Sequence, residues 1–122
     1  MARIFSLRRK PLLALRQRKR WLLRQSKALP DLLRASYVER FSVCGKANCH
    51  CHDAAANKHG PFYYLTQSLA VGRVNKFLLK EAPQQQAAQA GIAHWRQLQE
   101  QLEELSQINS ELLRRGEPLD RA

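Results

Sequence analysis

The sequence predicts an α+β fold, with a small three-stranded antiparallel sheet flanked by a basic N-terminal helix and a long C-terminal helix. Three observations lead there. Leucines recur at helical spacing in the first third of the chain, and three short runs of strand composition lie between residues 37 and 79. A stretch rich in Gln, Ala, Leu and Glu, with an apolar step of 3 and 4, then follows Pro83. Both periodicities are direct readouts of backbone geometry. They divide the chain into a helical arm (1–36), a small β domain (37–82), a C-terminal helix (83–116) and a tail (117–122).

In "SLRRKPLLALRQRKRWLLRQSKALPDLLRAS", Leu12, Leu15, Leu22 and Leu29 form an apolar stripe that Trp21 and Leu23 widen, with Arg and Lys opposite. Pro11 suits a first helical turn and Pro30 ends or kinks the helix. The expected element is a basic amphipathic helix of about five turns at 3.6 residues per turn, followed by a short helical piece from Asp31 to Ala35.

"YVERFSV" (37–43), "FYYLT" (62–66) and "RVNKFLL" (73–79) carry the β-branched and aromatic residues that favour strands, and Gly72 offers a turn between the last two. Three short strands bury little alone. They call for a helix across one face and a cross-link at one end. The hydrophobic fraction of 44% in 122 residues points the same way, since a chain this size rarely supports itself by core burial alone.

The segment "CGKANCHCHDAAANKHGPFYYL" (44–65) supplies the cross-link, because it holds every cysteine and three of the four histidines. Cys44, Cys49, Cys51 and His59 read C-x4-C-x-C-x7-H, four ligand-competent groups within sixteen residues, and Cys3His is an accepted structural zinc arrangement. Thiolates in a reducing compartment select zinc or iron–sulfur, and zinc is the expected ion. Gly45 and Gly60 adjoin the outermost ligands, where tight turns could aim backbone amides at the sulfurs. His52 competes with His59 for the fourth position, and Asp53 or a group from a second copy are further options. His50 is expected to point away. The spacing departs from the common C-x2-C pairs, so the alternative is three ordinary buried thiols and solvated imidazoles. A redox role for Cys49 and Cys51 is weaker, because C-x-C lacks the helix-terminus geometry of C-x-x-C.

The stretch "YVERFSVCGKANCHCHDAAANKHGPFYYL" resembles a prokaryotic domain family of no established activity, whose members combine a CGK-x-NC-x-C box with an HGP-aromatic box, a basic strand and a C-terminal helix. The boxes fall on Cys44, Gly45, Lys46, Asn48, Cys49 and Cys51, then His59, Gly60, Pro61, Tyr63 and Tyr64. The resemblance spans about residues 36 to 114, leaves out His50, His52 and the front helix, and implies an association with transposons and other mobile elements. Within the second box, Pro61 holds the chain extended after His59, and Tyr63 and Tyr64 point to opposite faces; the outer one could stack on a base, although such a tyrosine more often belongs to the core or its rim.

After Pro83, Trp95, Leu98, Leu102, Leu105, Asn109 and Leu112 step by 3 and 4 as a heptad seam. One polar Asn in such a row can fix the register of a parallel pair, which makes a homodimer one use of this helix. Packing on the chain's own sheet and front helix is the other, and Ile92 and Ile108 widen the stripe in its favour. Gly116 and Pro118 end the helix. Glu100, Glu103, Glu104 and Glu111 are expected on a solvated face, complementing Arg96, Arg114 and Arg115.

Charge then bounds function. The formal net charge is +11, and residues 1–40 carry twelve Lys and Arg against Asp31 and Glu39. Such a block attracts polyanions at long range and binds them with counterion release. The expected contacts are Arg8, Arg9, Lys10, Arg16, Arg18, Lys19, Arg20 and Arg24 on the front helix, with Arg73 and Lys76 on the sheet. A solvated tail without a dedicated partner is the plain alternative.

No catalytic constellation emerges, and a closed Cys3His site leaves no position for water activation, so no enzyme activity is expected. The leading expectation is a zinc-stabilised DNA-binding accessory protein, acting with a transposase or recombinase. The alternatives are an adaptor whose basic helix docks on an acidic protein, or an RNA-binding protein; a membrane-surface binder is a further check. Three cysteines, no secretory signal and no long apolar run suggest a soluble protein of a reducing compartment, most simply prokaryotic cytoplasm. An Arg-rich, acid-poor opening is also what a mitochondrial presequence shows.

Overall fold

The structure, a computed structural model, describes residues 4–26 and 31–120. Its elements are α1 (Ile4–Leu7), α2 (Leu12–Ser26), β1 (Ser36–Ser42), β2 (His59–Ala70), β3 (Arg73–Leu78) and α3 (Ala82–Arg114). They form two compact units, one made of the chain up to Asp31 with His94 onward, the other of Leu32–Ala93. The front helix is therefore packed with the C-terminal part of α3 instead of standing as a separate arm. No described helix is long and apolar enough to cross a membrane.

The sheet unit is antiparallel throughout, in the order β1-β2-β3. Its buried face follows from strand alternation: Tyr37 and Leu65 share a register row, and Leu65, Leu79, Ala88 and Ile92 form the core with Tyr37, Tyr63, Leu33 and Ala35 against it, while Phe77, opposite Leu65 on the edge strand, stays exposed. The Tyr37 and Tyr63 rings stack at 5.2 Å. The helical piece expected over Asp31–Ala35 is not formed. Residues 32–35 run without helix into β1, with Leu33 and Ala35 turned toward the core, Leu32 and Arg34 exposed, and the Leu33 N–H donating to Gly91 O at 3.1 Å. Period-two burial overrode the apparent helical spacing.

The second strand is longer than its composition suggested, while β3 keeps close to its expected span. β1 ends its ladder at Ser36 opposite Thr66, whereas β2 and β3 stay paired to Ala70 and Arg73, with a register irregularity between Ser68 and Ala70. A two-stranded arm therefore extends past β1, turning at Val71 and Gly72, where Gly72 takes φ +75°.

The helical unit is held by Leu7, Leu15, Leu22, Ile108 and Leu112, with Leu12, Leu105 and Leu119 packed around them. Leu29, and the expected stop at Pro30, lie outside the described residues. Of the C-terminal seam, Leu105 and Leu112 go into this core, Trp95 and Leu98 are half-buried, and Leu102 is 49% exposed. The seam thus serves packing within the chain, and Asn109 sits in it with its Oδ1 buried and unbonded among the described residues. Glu104 and Glu111 are buried, not solvated, while Glu100 and Glu103 are exposed. The helix closes with Gly116 N–H on Leu113 O and Glu117 N–H on Leu112 O, Gly116 taking φ +73°, a Schellman arrangement that satisfies the last carbonyls. Residues 117–119 belong to the unit, since Leu119 joins the core and Glu117 pairs with Arg16.

Candidate metal centre

The loop from Val43 to Lys58 folds through two short 3-10 turns, His50–His52 and Ala55–Asn57, closed by local backbone bonds such as Asp53 N–H to His50 O at 3.0 Å. Its composition explains its dependence on something else: of these sixteen residues only Cys51 is buried, at 1% exposure. Such a loop has no apolar core of its own to offset the entropy of ordering it.

Both ends are set by the sheet. Ser42 pairs with His59 after a shift in register from Arg40–Phe62, so the chain leaves β1 and re-enters β2 side by side. Cys44 and His59 are thereby brought within reach of one another. Gly60 is needed there for close approach: at φ +139°, a Cβ on it would lie 2.8 Å from Arg40 O and 3.0 Å from the Phe41 ring. Gly45 has nothing within 4 Å of such a Cβ, so no close approach demands a glycine there. The Cys44 amide approaches a sulfur, lying 3.4 Å from Cys51 Sγ.

The ligand atoms of Cys44, Cys49, Cys51 and His59 all lie within 4.8 Å of one another. Cys44 Sγ is 3.7 Å from Cys51 Sγ, and Cys49 Sγ is 3.3 Å from His59 Nε2. A tetrahedron with Zn–S of about 2.3 Å and Zn–N of about 2.0 Å has an S···S edge of about 3.8 Å and an S···N edge of about 3.5 Å. Those two edges of the cluster are therefore compatible with zinc. Burial pushes the Cys51 thiol up, whereas hydrogen bonding from the Cys51 backbone holds Cys49 below the usual thiol range. Thiols this close share protons or a cation, and a metal resolves the competition by taking all three as thiolates.

The competing ligands fall elsewhere. His52 places Nε2 2.9 Å from Lys46 O, His50 and Asp53 are exposed, and the four atoms come from one chain without a second copy. A cavity of about 310 Å³ opens beside the cluster, lined by Ser42, Val43, Cys44, Lys46, Cys49, His59 and Phe62.

The basic residues divide into two groups. Arg18 forks onto Glu104 and lies 4.3 Å over the Trp21 ring, Arg16 pairs with Glu117 at 3.5 Å and Lys19 donates to Leu119 O. These three hold the helical unit together. Arg8, Arg9, Lys10 and Arg24 are exposed and Arg20 is half-buried; on β3, Arg73 and Lys76 are exposed, with Lys76 Nζ 4.9 Å from the Tyr64 ring centre. Sequence reasoning missed Glu104 as the internal partner of Arg18, although Glu104, Ile108 and Glu111 follow the helical spacing of the packed stripe. The pairing of Arg115 with the acidic residues of its helix was expected, but its reach to the chain after α1 was not: besides Glu111, its guanidinium donates to Leu7 O and Lys10 O at 3.1 and 2.7 Å.

No curated protein and no solved structure matches this chain. A family model does, over residues 12–87, and it takes in α2, the whole sheet and the metal-site loop while ending in the first turns of α3. The basic helix is therefore part of the shared domain, beyond the span of the resemblance seen in the two boxes. The chain belongs to the family of a domain of unknown function, DUF6788.

Proposed function

We propose that this chain is a zinc-stapled nucleic-acid-binding domain, with duplex DNA as its partner and no catalytic role. The observation that carries the reading is the Cys3His cluster, four ligand atoms within 4.8 Å in a loop with one buried residue. A fourth protein ligand closes the coordination sphere, which suits a structural ion and leaves no place for an activated water. What supports the polyanion is the net charge of +11, together with the exposure of Arg9, Lys10, Arg24, Arg73 and Lys76 after Arg16, Arg18 and Lys19 are engaged internally. An accessory role beside a transposase or recombinase rests on the likeness of the two boxes to a family associated with mobile elements.

The test pairs metal analysis with duplex binding at several ionic strengths. The purified chain should hold one zinc. Neutralising about six phosphates should give a log–log salt slope near −5. Metal-free protein that keeps its fold would remove the first half of the reading. Absence of duplex retention at moderate salt would remove the second, and point to an acidic protein as the partner of α2.

A further inference from the structure

The arm formed by the ends of β2 and β3 has a composition that a solvated hairpin does not need. Tight turns ordinarily carry Asn, Asp or Gly, for reasons of backbone conformation and hydration. Here the turn is Val71-Gly72. Val71 is fully exposed, and Leu69 and Val74 are 55% and 61% exposed. Leu69 lies at the register irregularity between Ser68 and Ala70, a place where a bulge re-aims a side chain. Arg73 adjoins the turn, Lys76 is three residues further on, and no acidic residue occurs between Asp53 and Glu81.

We propose that this arm enters the minor groove of duplex DNA, with Leu69 and Val71 as the apolar wedge at a base step and Arg73 on the adjacent phosphates. The inference rests on the nucleic-acid reading above and names the contact within it. Arg34 still holds the arm at Ser68, donating to its carbonyl at 2.8 Å, and Val71 lies three residues beyond it. At about 3.4 Å per residue that is about 10 Å, enough for a minor groove about 7.5 Å deep. Aliphatic side chains at a tip that is otherwise basic suit insertion between stacked pairs, which kinks the duplex. Single-stranded bases are held on aromatic faces instead, and the tip has none. It also lacks the Trp and Tyr that anchor proteins at a membrane interface.

The arm's tip lies outside both cores, so its variants leave the fold intact. The experiment uses the full-length zinc-loaded protein and a 30-base-pair duplex containing TA and CA steps, labelled at both ends for energy transfer. Wild type should bind and shorten the end-to-end distance. Leu69→Asn with Val71→Asn should bind several-fold more weakly and leave the duplex straight, with an unchanged salt slope. Arg73→Gln should lower the slope by about one. Wild-type binding without bending, or a double variant that bends like wild type, overturns the wedge and leaves nucleic-acid binding standing. No duplex binding at low salt overturns both. Capture of anionic vesicles by wild type but not by the double variant would assign the tip to a lipid surface and also overturn it.

Discussion

The two units solve the same problem, too little apolar surface, by different means. The helical unit interlocks leucines from α1, α2 and α3, then sets buried carboxylates against arginines: Glu111 at 1% exposure accepts from Arg114 and Arg115, and Glu104 from Arg18. The sheet unit has a core of four small or medium side chains and a polar loop closed by three sulfurs and an imidazole. One is a distributed set of contacts; the other concentrates its cohesion at one point. Loss of a single ligand should therefore matter far more than loss of a single leucine.

The largest expected effect follows from that concentration. On the proposed zinc reading, Cys49→Ser, or removal of metal by a chelator, should deprive the loop of a stabilisation on the order of 10 kcal/mol. Amide hydrogen exchange should rise across residues 43–62 while α2 and the second half of α3 keep their protection. Equal deprotection of both units would show that the contrast between them is false.

A core truncation in the helical unit comes next. Leu112 is fully buried, so Leu112→Ala should cost about 3 kcal/mol through lost transfer energy and the cavity left behind. Leu102 stands earlier in the same seam at 49% exposure, and Leu102→Ala should change stability by less than about 0.5 kcal/mol. Urea melts at two protein concentrations check both. A large, concentration-dependent effect at Leu102 would mean that a second copy covers the seam.

Gly60→Ala tests where the sheet hands over to the metal loop. Its Cβ must displace the Arg40 carbonyl from 2.8 Å and adopt a backbone region that L-residues avoid, at a cost of about 1–3 kcal/mol. Because the strain falls beside His59, zinc affinity should drop along with stability. Gly45→Ala, in open space, is the control and should leave both near wild type.

How much of this was legible in the sequence depends on range. The ligand set was readable because its members lie within sixteen residues, and a loop that short has few ways to close around an ion. The strands were found and the length of β2 was not, since Gln67, Ser68 and Ala70 read as turn residues until β3 is seen to pair with them. The segment 32–35 misled because Leu32, Leu33 and Ala35 fit a helix as well as a strand locally, and only the core beneath Leu33 and Ala35 decides. Charge was the least legible feature. Whether an arginine meets phosphate or an internal carboxylate depends on partners about 86 to 101 residues away, as Arg18 with Glu104 and Arg16 with Glu117 illustrate.

The smallest expected effect is a pH dependence confined to the helical unit. Hydrogen bonds from Arg114, then Arg115, hold the Glu111 carboxyl down to about 2 from its ordinary 4.5. A carboxyl whose folded pKa is depressed adds stability that is complete above its unfolded value and is lost as pH falls through the folded one. The contribution of Glu111 to the thermal stability of the helical unit should thus be complete above about pH 4.5 and be lost between there and about pH 2. Arg114 is half-exposed, so solvent screens part of the pairing and the shift in Tm should be modest. A zinc ion held by the Cys3His cluster would be released as its ligands took up protons, so melts followed by helical circular dichroism are best run on chelated protein. Glu111→Gln should start lower near neutrality and decline less steeply in acid. Parallel curves for variant and wild type would mean that the carboxylate contributes by packing and hydrogen-bond geometry, with its charge playing no part.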